Sequence, residues 1–373
     1  MPAATIYPSA SFDPRLWRAR RDARETFPIN APRAHFFGMA RAAIWHGVQV
    51  LGLRPGDEIL VPAFNCGSEV DPLVQAGLKL VYYGVDEEFN ARPEEIAVLV
   101  TSQTRALYIT HFFGFPQRGT DALAAVGAAH QVPLIEDCAH GLFSRHPDGR
   151  ILGKSGDISI FSMRKTLPIG DGAALVLNKP GLPGPDVQLR HRLLHHLSPR
   201  WRRDAARGEH GRDEDAPATD REPSGNAKPE RTALTRDQSF IREQQELQGI
   251  SRLAHRVMLG SNVSDIVAKR RRNFEVVLES LPPGSGLKPV FARLPEGTSP
   301  LAFPLFADDP RSVVQDLRRH GILARRWWAH FHAEIPWDSL PDAVFLKTHL
   351  VAIPVQQRIA PERLAAAVKA LRA

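Results

Sequence analysis

Short apolar runs alternate with longer polar or Ala-rich segments through the first half of the chain. Such runs are typical of strands that are buried on both faces of a sheet. They predict strands at Glu58–Val61, Gly77–Val85, Ala106–His111, Pro133–Ile135 and Ile158–Phe161. A helical segment, Asp121–His130, lies between the third and fourth of these runs. Because strand, helix and strand follow one another, we expect a mostly parallel sheet in an α/β fold.

The two ends of the chain have different patterns. Residues 1–33 are rich in Pro and Arg and predict an extended arm, and the Ala-rich stretch His35–Val50 predicts a helix with a glycine at its opening. Near the C-terminus we expect strand, helix, strand and helix at Leu301–Phe306, Arg311–His320, His349–Val355 and Pro361–Leu371. This alternation indicates a small α+β domain.

The middle of the chain breaks the alternation. Leu189, Leu193 and Leu197 recur every four residues and predict a short helix. Ser198–Asp237 contains nine basic and nine acidic residues but few large apolar ones. It cannot bury enough surface to offset the entropy lost on ordering, so we expect it to be disordered or loosely attached. We therefore predict a large domain over 1–180, this helix and charged insertion over 181–245, and an interface helix with the small domain over 246–373.

Composition narrows the class of protein. The 373 residues include 48 basic and 41 acidic ones, and the net charge of +7 suits an anionic substrate such as a nucleotide sugar, or nucleic acid. The balanced charges of the insertion argue against a nucleic-acid-binding arm. No apolar run approaches the roughly 18 residues of a membrane span, and the N-terminus lacks a signal-peptide pattern. We expect a cytoplasmic protein without membrane or nucleic-acid partners; with only Cys66 and Cys138, no disulfide framework or metal site is expected.

Candidate chemistry is concentrated where two of the predicted strands end. Asp137 and His140 follow the fourth strand, and Ser162 and Lys165 follow the fifth. Open α/β sheets bind ligands at the carboxyl ends of their strands, so these side chains are expected at one edge. Lys165 has Met163, Thr166, Leu167 and Pro168 near it in the sequence, and partial burial would favour the neutral amine that a Schiff base requires. The combination indicates a cofactor site.

The order of these motifs resembles that of the DegT/DnrJ/EryC1/StrS sugar aminotransferase family. The chain reads E-D-C-A-H at 136–140 and G-D-I-S-I-F-S at 156–162, followed by Lys165 and a Gly-Asp-Gly turn at 170–172. The stretch G-D-E-I-L-V-P-A-F at 56–64 resembles the family's G-D-E-V-I-V-P-A-F. The resemblance implies the fold of type I transferases that depend on pyridoxal 5'-phosphate (PLP), with a mostly parallel large domain and a small C-terminal α+β domain. It also implies PLP as the cofactor.

The resemblance assigns a role to each residue at the strand ends. Asp137 matches the carboxylate that pairs with the pyridinium nitrogen and keeps it protonated. His140 matches the residue that touches the cofactor ring or its 3-hydroxyl. Ser162 matches a phosphate ligand, and Lys165 matches the lysine that forms the Schiff base. Lys165, Asp137 and His140 are therefore the expected catalytic residues.

The resemblance places further cofactor contacts on other segments. Ala40 and Arg41 stand where backbone amides at a helix N-terminus hold the cofactor phosphate. The Arg41 side chain either replaces a missing hydroxyl contact or faces solvent. Cys66 occupies the position of an aromatic residue that usually stacks on the ring. Asn262 matches an Asn that reaches the phosphate of the neighbouring subunit, which implies a homodimer with shared sites.

The activity implied is amino transfer, from a donor such as glutamate to a keto-sugar nucleotide or related carbohydrate. Such reactions belong to polysaccharide, cell-surface glycan or secondary-metabolite biosynthesis. Residues 325–328, with two arginines and two tryptophans, lie in the loop where family members often meet substrates, and one tryptophan is expected in the core. Two alternatives stay open. One is a PLP-dependent sugar dehydratase, whose family members usually carry His in place of this lysine; the other is a non-catalytic PLP-binding regulator or partner subunit.

Overall fold

The computed structural model describes residues 22–187 and 248–371, together with positions 6, 189, 233–234 and 241. The predicted helix at Leu189–Leu197 and the Ser198–Asp237 insertion fall outside the described residues, apart from positions 189, 233 and 234. Within the described ranges, no helix has both the length and the apolar character needed to cross a membrane.

A seven-stranded sheet forms the centre of the larger part. Its strands are β1 (Ala34–Phe37), β2 (Glu58–Pro62), β3 (Lys79–Tyr83), β4 (Thr104–Thr110), β5 (Leu134–Asp137), β6 (Ile158–Ser162) and β7 (Ala173–Leu177). They lie in the order β1-β7-β6-β5-β4-β2-β3, and β7 runs in the direction opposite to that of the other six strands. The predicted mostly parallel α/β sheet is therefore confirmed.

Helices cover both faces of this sheet, which explains why its strands are apolar at successive positions. They are α1 (Ala40–Val50), α2 (Val70–Gln75), α3 (Pro93–Leu99) and α4 (Thr120–Ala129). Ile59 belongs to the apolar cluster that contains α1, whereas its neighbour Leu60 belongs to the cluster that contains α3 and α4. Successive side chains of a strand point to opposite faces, so both faces must be apolar.

The C-terminal part is built on a four-stranded antiparallel sheet in the order β11-β13-β10-β9. Its strands are β9 (Lys288–Pro289), β10 (Ala302–Phe306), β11 (Arg325–Arg326) and β13 (Leu350–Pro354), and a separate parallel pair joins β8 (Ala233–Leu234) to β12 (Phe331–His332). The helices are α5 (Arg252–Leu259), α6 (Val263–Ser280), α7 (Pro310–Arg319), α8 (Pro341–His349) and α9 (Pro361–Lys369). The domain boundaries at 180 and 245 remain a prediction.

Strand β1 departs from the predicted elements. The stretch from His35 was expected to be helical, but Ala34–Phe37 pairs with β7 and α1 begins only at Ala40. Four residues are too few to reveal strand periodicity, and the partner strand lies far along the chain. The pairing sets Phe37 opposite Ala173, which brings the start of α1 to the carboxyl edge of the sheet.

Candidate active site

The predicted catalytic residues meet at the carboxyl edge of the large sheet. Asp137 ends β5 and Ser162 ends the adjacent β6, and both are buried. A 3-10 turn, Met163–Lys165, follows β6 directly and carries Lys165 over this edge. The lysine is near enough to Asp137 for the two charges to influence each other. The expected convergence of these side chains is therefore present in the fold.

A backbone chain of hydrogen bonds joins the start of α1 to the lysine turn. The amide of Gly172 donates to Gly38 O at 2.7 Å, and the amide of Met163 donates to Gly172 O at 2.9 Å. Gly172 has a φ of +142°, and a Cβ there would lie 2.8 Å from the side chain of Ile169. This position therefore requires glycine. The link holds Ala40, the first residue of α1, beside the turn.

Lys165 is 8% exposed. Burial lowers the pKa of its amine, against the opposing effect of the carboxylates of Asp137 and Glu69, which favour the charged form. Among the described residues, no hydrogen bond or ion pair of 4 Å or less engages its Nζ. A buried amine in this state is suited to nucleophilic attack on a carbonyl.

Asp137 is oriented by two donors. Tyr108 Oη donates to Asp137 Oδ2 at 2.7 Å, and the amide of Ala139 donates to Asp137 Oδ1 at 2.8 Å. Burial and the nearby carboxylate of Glu69 raise the pKa of Asp137 despite these bonds. Each carboxylate oxygen keeps capacity for a further donor. A cation with an N–H group would satisfy that capacity and offset the burial of the charge.

His140, three residues after the end of β5, packs among aromatic side chains. Its ring centre is 5.5 Å from that of Trp327 and 5.2 Å from that of Trp328, and its Nδ1 accepts a hydrogen bond from the Phe113 amide at 3.3 Å. Both tryptophans are buried, whereas only one was expected in the core. Their positions bring the C-terminal part of the chain against the predicted cofactor site.

Cys66 is buried beside a carboxylate that sequence reasoning missed. Its thiol donates to Glu69 Oε2 at 2.7 Å, and its amide donates to Glu69 Oε1 at 3.1 Å. Burial raises the pKa of the Cys66 thiol, and the Glu69 charge acts in the same direction. Cys66 is thus held as a neutral thiol near Lys165. The only signal for Glu69 was its position three residues beyond Cys66.

Asn262 begins helix α6 as its N-cap. Its Oδ1 accepts a hydrogen bond from the Asp265 amide at 3.0 Å, which satisfies one of the open donors of the first turn. Among the residues that the structure describes, the NH2 group of this side chain makes no further hydrogen bond. Its predicted contact with a neighbouring subunit therefore stays a prediction.

Glu136, next to Asp137 in β5, lies on the opposite face of the sheet. Its hydrogen bonds support the carboxyl edge from that face. Its carboxylate accepts from Ser155 N at 2.8 Å and Gly156 N at 2.6 Å, and it lies 3.0 Å from His111 Nε2. His111 Nδ1 accepts from the Gln117 amide, so Nε2 carries the proton and donates to Glu136. A protonated Nε2 has no lone pair for a metal, although Cys138 also lies close by. This cluster is a hydrogen-bonded support.

We expect Glu136→Gln to lower the free energy of unfolding by about 2–4 kcal/mol, because the new NH2 group would face only donors. Burial raises the pKa of Glu136, but the bonds from His111, Gly156 and Ser155 outweigh it and the net shift is downward. A carboxylate whose pKa is lowered by folding stabilises the folded protein at every pH above the pKa that it has in the unfolded state. That stabilisation is lost as the pH falls through the pKa that it has in the folded state. Urea unfolding should therefore show a difference at pH 7 that shrinks under acid conditions.

The matched control is Asp148→Asn at an exposed carboxylate, for which stability should change little. Equal stability of the Glu136→Gln variant and the parent at pH 7 would contradict the assigned support.

Comparison with known proteins shows what part of the sequence is similar to a known family. Residues 37–192 match the DegT/DnrJ/EryC1/StrS aminotransferase family. The 3-amino-5-hydroxybenzoate synthase of Amycolatopsis mediterranei (strain S699) is 35% identical over 132 residues, which cover 35% of this chain and 34% of that protein. The spore coat polysaccharide biosynthesis protein SpsC of Bacillus subtilis (strain 168) is 28% identical over 184 residues, which cover 48% and 46%. The chain thus matches less than half the length of these curated relatives.

Solved structures resemble the chain over a longer span. The crystal structure of the aminotransferase TlmJ from Streptoalloteichus hindustanus superposes with a TM-score of 0.69, covers 98% of both chains and is 19% identical. At that identity the likeness concerns the fold alone, and the chain has the fold of that aminotransferase, as predicted. The sequence likeness to the DegT/DnrJ/EryC1/StrS aminotransferase family extends over residues 37–192 of this chain.

Proposed function

We propose that this protein is a PLP-dependent aminotransferase that moves an amino group from a donor such as glutamate to a keto-sugar nucleotide or related carbohydrate. The observation that carries the proposal is the buried amine of Lys165, free of hydrogen bonds among the described residues and close to the buried carboxylate of Asp137. A lysine and an acid in this arrangement match what the cofactor requires: a covalent attachment point and a counter-charge for the ring nitrogen.

The residues present fit PLP. Asp137, with Tyr108 behind it, would hold the pyridinium nitrogen, and His140 would contact the ring. The amides of Ala40 and Arg41 would hold the phosphate at the start of α1. Ser162 would add its hydroxyl, and Cys66 would line the ring pocket as a neutral thiol.

Lys165 has two tasks in this proposal. Its amine would be the attachment point of the cofactor, and its Nζ would accept the proton removed from the α-carbon of the donor and pass it on. Bound PLP supplies an electron sink that makes the α-proton removable. The lowered pKa of Lys165 helps its Nζ to accept that proton at neutral pH.

A homodimer with shared sites is part of the proposal. Asn262 would reach the cofactor phosphate of the neighbouring subunit through its side-chain amide, while its oxygen caps α6. The large domain at 1–180 and the small domain at 246–373 would each carry one of the two sheets. The net charge of +7 favours a phosphorylated or nucleotide-linked acceptor.

The lysine itself supports amino transfer over dehydration. Sugar dehydratases that resemble this family usually carry His at the position of Lys165, so the lysine favours amino transfer. The relative SpsC is named for polysaccharide biosynthesis, which suits a carbohydrate acceptor.

The test is incubation of the purified protein with PLP, ¹⁵N-glutamate and a panel of nucleotide-linked keto-sugars. We expect 2-oxoglutarate and an amino sugar that carries ¹⁵N. A deoxy-keto product without ¹⁵N would replace the proposal by the dehydratase alternative. PLP binding without turnover of any acceptor or donor would replace it by the regulator alternative.

A further inference from the structure

A fully buried arginine lies behind the lysine turn. Arg270, on α6, has 0% exposure and makes no ion pair with any described residue. Burial lowers the pKa of its guanidinium to about 9, so the group stays charged at neutral pH. A buried charge without a counter-ion is costly unless its N–H groups all find acceptors. A role for Arg270 that depends on this buried position would explain why the chain has a charged residue here.

The hydrogen bonds of Arg270 converge on the segment that carries the lysine. Its Nη2 donates to the main-chain oxygen of Lys165 at 3.3 Å. Its Nη1 donates to the oxygens of Pro300 and Leu301 at 3.0 and 3.2 Å, just before β10. Its Nε donates to Gln357 Oε1 at 2.9 Å. A planar guanidinium with several donors suits this bracing of separate segments.

Gln357 extends the support by one residue. Its Nε2 donates to the oxygen of Thr166 at 3.0 Å, while its Oε1 accepts from Arg270. Consecutive carbonyls, those of Lys165 and Thr166, are thus held by two side chains bonded to each other. We call Arg270 and Gln357 the brace.

The brace joins segments that are far apart in the sequence. It ties the turn after β6 to helix α6, to the entrance of β10 and to the loop after β13. The other side of the turn is held by Gly172 through the Met163 amide. Because both sides of the turn are held by hydrogen bonds, the backbone position from which the Lys165 side chain extends is fixed.

We propose that Arg270 and Gln357 are positioning residues that set the place of Lys165 for amino transfer. This inference rests on the proposed function of Lys165. A misplacement of about 1 Å can cost about a hundredfold in rate, so the brace is expected to influence turnover without touching substrate. Its loss should also loosen the turn and make the lysine amine more accessible.

The principal variant is Gln357→Met, because Gln357 is only half-buried and its loss leaves the buried charge of Arg270 with three of its four acceptors. Arg270→Lys is the second variant, since it keeps the charge but not the planar fork of donors. The control is Arg271→Gln on the same helix. Arg271 Nη1 donates to the oxygens of Pro295 and Thr298, both at 2.8 Å, and neither bond reaches the lysine turn.

Three measurements decide the inference. For Gln357→Met, kcat should fall about ten- to a hundredfold with a smaller change in KM, and the pH midpoint of the bound-cofactor absorbance should shift. The control Arg271→Gln should lose comparable thermal stability while keeping the parental kcat and the parental pH midpoint. Gln357→Met and Arg270→Lys that melt lower but keep the parental kcat and midpoint would overturn the inference.

A readout without cofactor separates this inference from the proposed function. Reductive methylation with formaldehyde, followed by peptide mass spectrometry, reports the reactivity of Lys165 relative to the exposed Lys154 in the same digest. We expect the ratio to rise about tenfold in both brace variants and to stay parental in Arg271→Gln. An unchanged ratio would overturn the brace. Absence of amino transfer in the parent, with a changed ratio in the variants, would overturn the proposed function alone.

Discussion

Lys165→Ala is expected to abolish amino transfer and to remove the absorbance of lysine-linked PLP, while the protein remains folded. The substitution removes both the covalent attachment and the group that moves the proton, so no partial activity should survive. The fold should tolerate it because Nζ of Lys165 makes no hydrogen bond among the described residues, and truncation leaves no buried partner unsatisfied. Absorbance spectra, circular dichroism and the ¹⁵N-transfer assay check these three expectations.

Borohydride reduction and peptide mapping of the parent protein test the same assignment directly. The reduced pyridoxyl group should lie on Lys165. The nearby Lys154 and Lys179 are exposed and lie before β6 and after β7, away from the carboxyl edge. Lys154→Ala is therefore the matched control, with parental spectrum and activity. A pyridoxyl group on another lysine would move the active site.

Asp137→Asn is expected to keep PLP bound but to lower kcat by about 10²- to 10³-fold, because a neutral amide cannot stabilise the protonated ring nitrogen. The fold should accept the change. The Tyr108 hydroxyl can rotate and accept a hydrogen bond from the new NH2 group, while the Ala139 amide keeps an oxygen acceptor. Equilibrium PLP titration and steady-state kinetics separate the two effects.

Tyr108→Phe is the companion variant. It removes the bond that orients Asp137 but keeps the negative charge, so kcat should fall less than in Asp137→Asn. Parental turnover of Asp137→Asn would show that this carboxylate is not the partner of the ring nitrogen. A larger loss in Tyr108→Phe would instead assign the phenol the greater role.

The local sequence determined the main strands and the place of the chemistry. Runs such as Ile59–Val61 are apolar at every position because helices cover both faces of the sheet, so their composition alone indicated buried parallel strands. Parallel strands end at one edge, and this rule was enough to bring Asp137, Ser162 and Lys165 together. Each of these inferences uses residues within a few positions of one another.

Contacts between distant segments were decided only by the tertiary structure. Strand β1 forms because it pairs with β7, with Phe37 opposite Ala173. A run of four residues is too short to show the period of a strand in the sequence. Tyr108 looked like one more apolar strand residue until its hydroxyl was found on Asp137. The burial of both Trp327 and Trp328 against His140 likewise depends on how the two sheets meet.

Arg270 illustrates the physical reason most clearly. In the sequence it stands in a run of four basic residues on a helix, a pattern that indicates a solvated face. In the fold it is the buried member of that run, because its four acceptors come from residues 165, 300, 301 and 357. Local pattern determines which face of an element is apolar, but the acceptors that allow a charge to be buried are assembled only by packing.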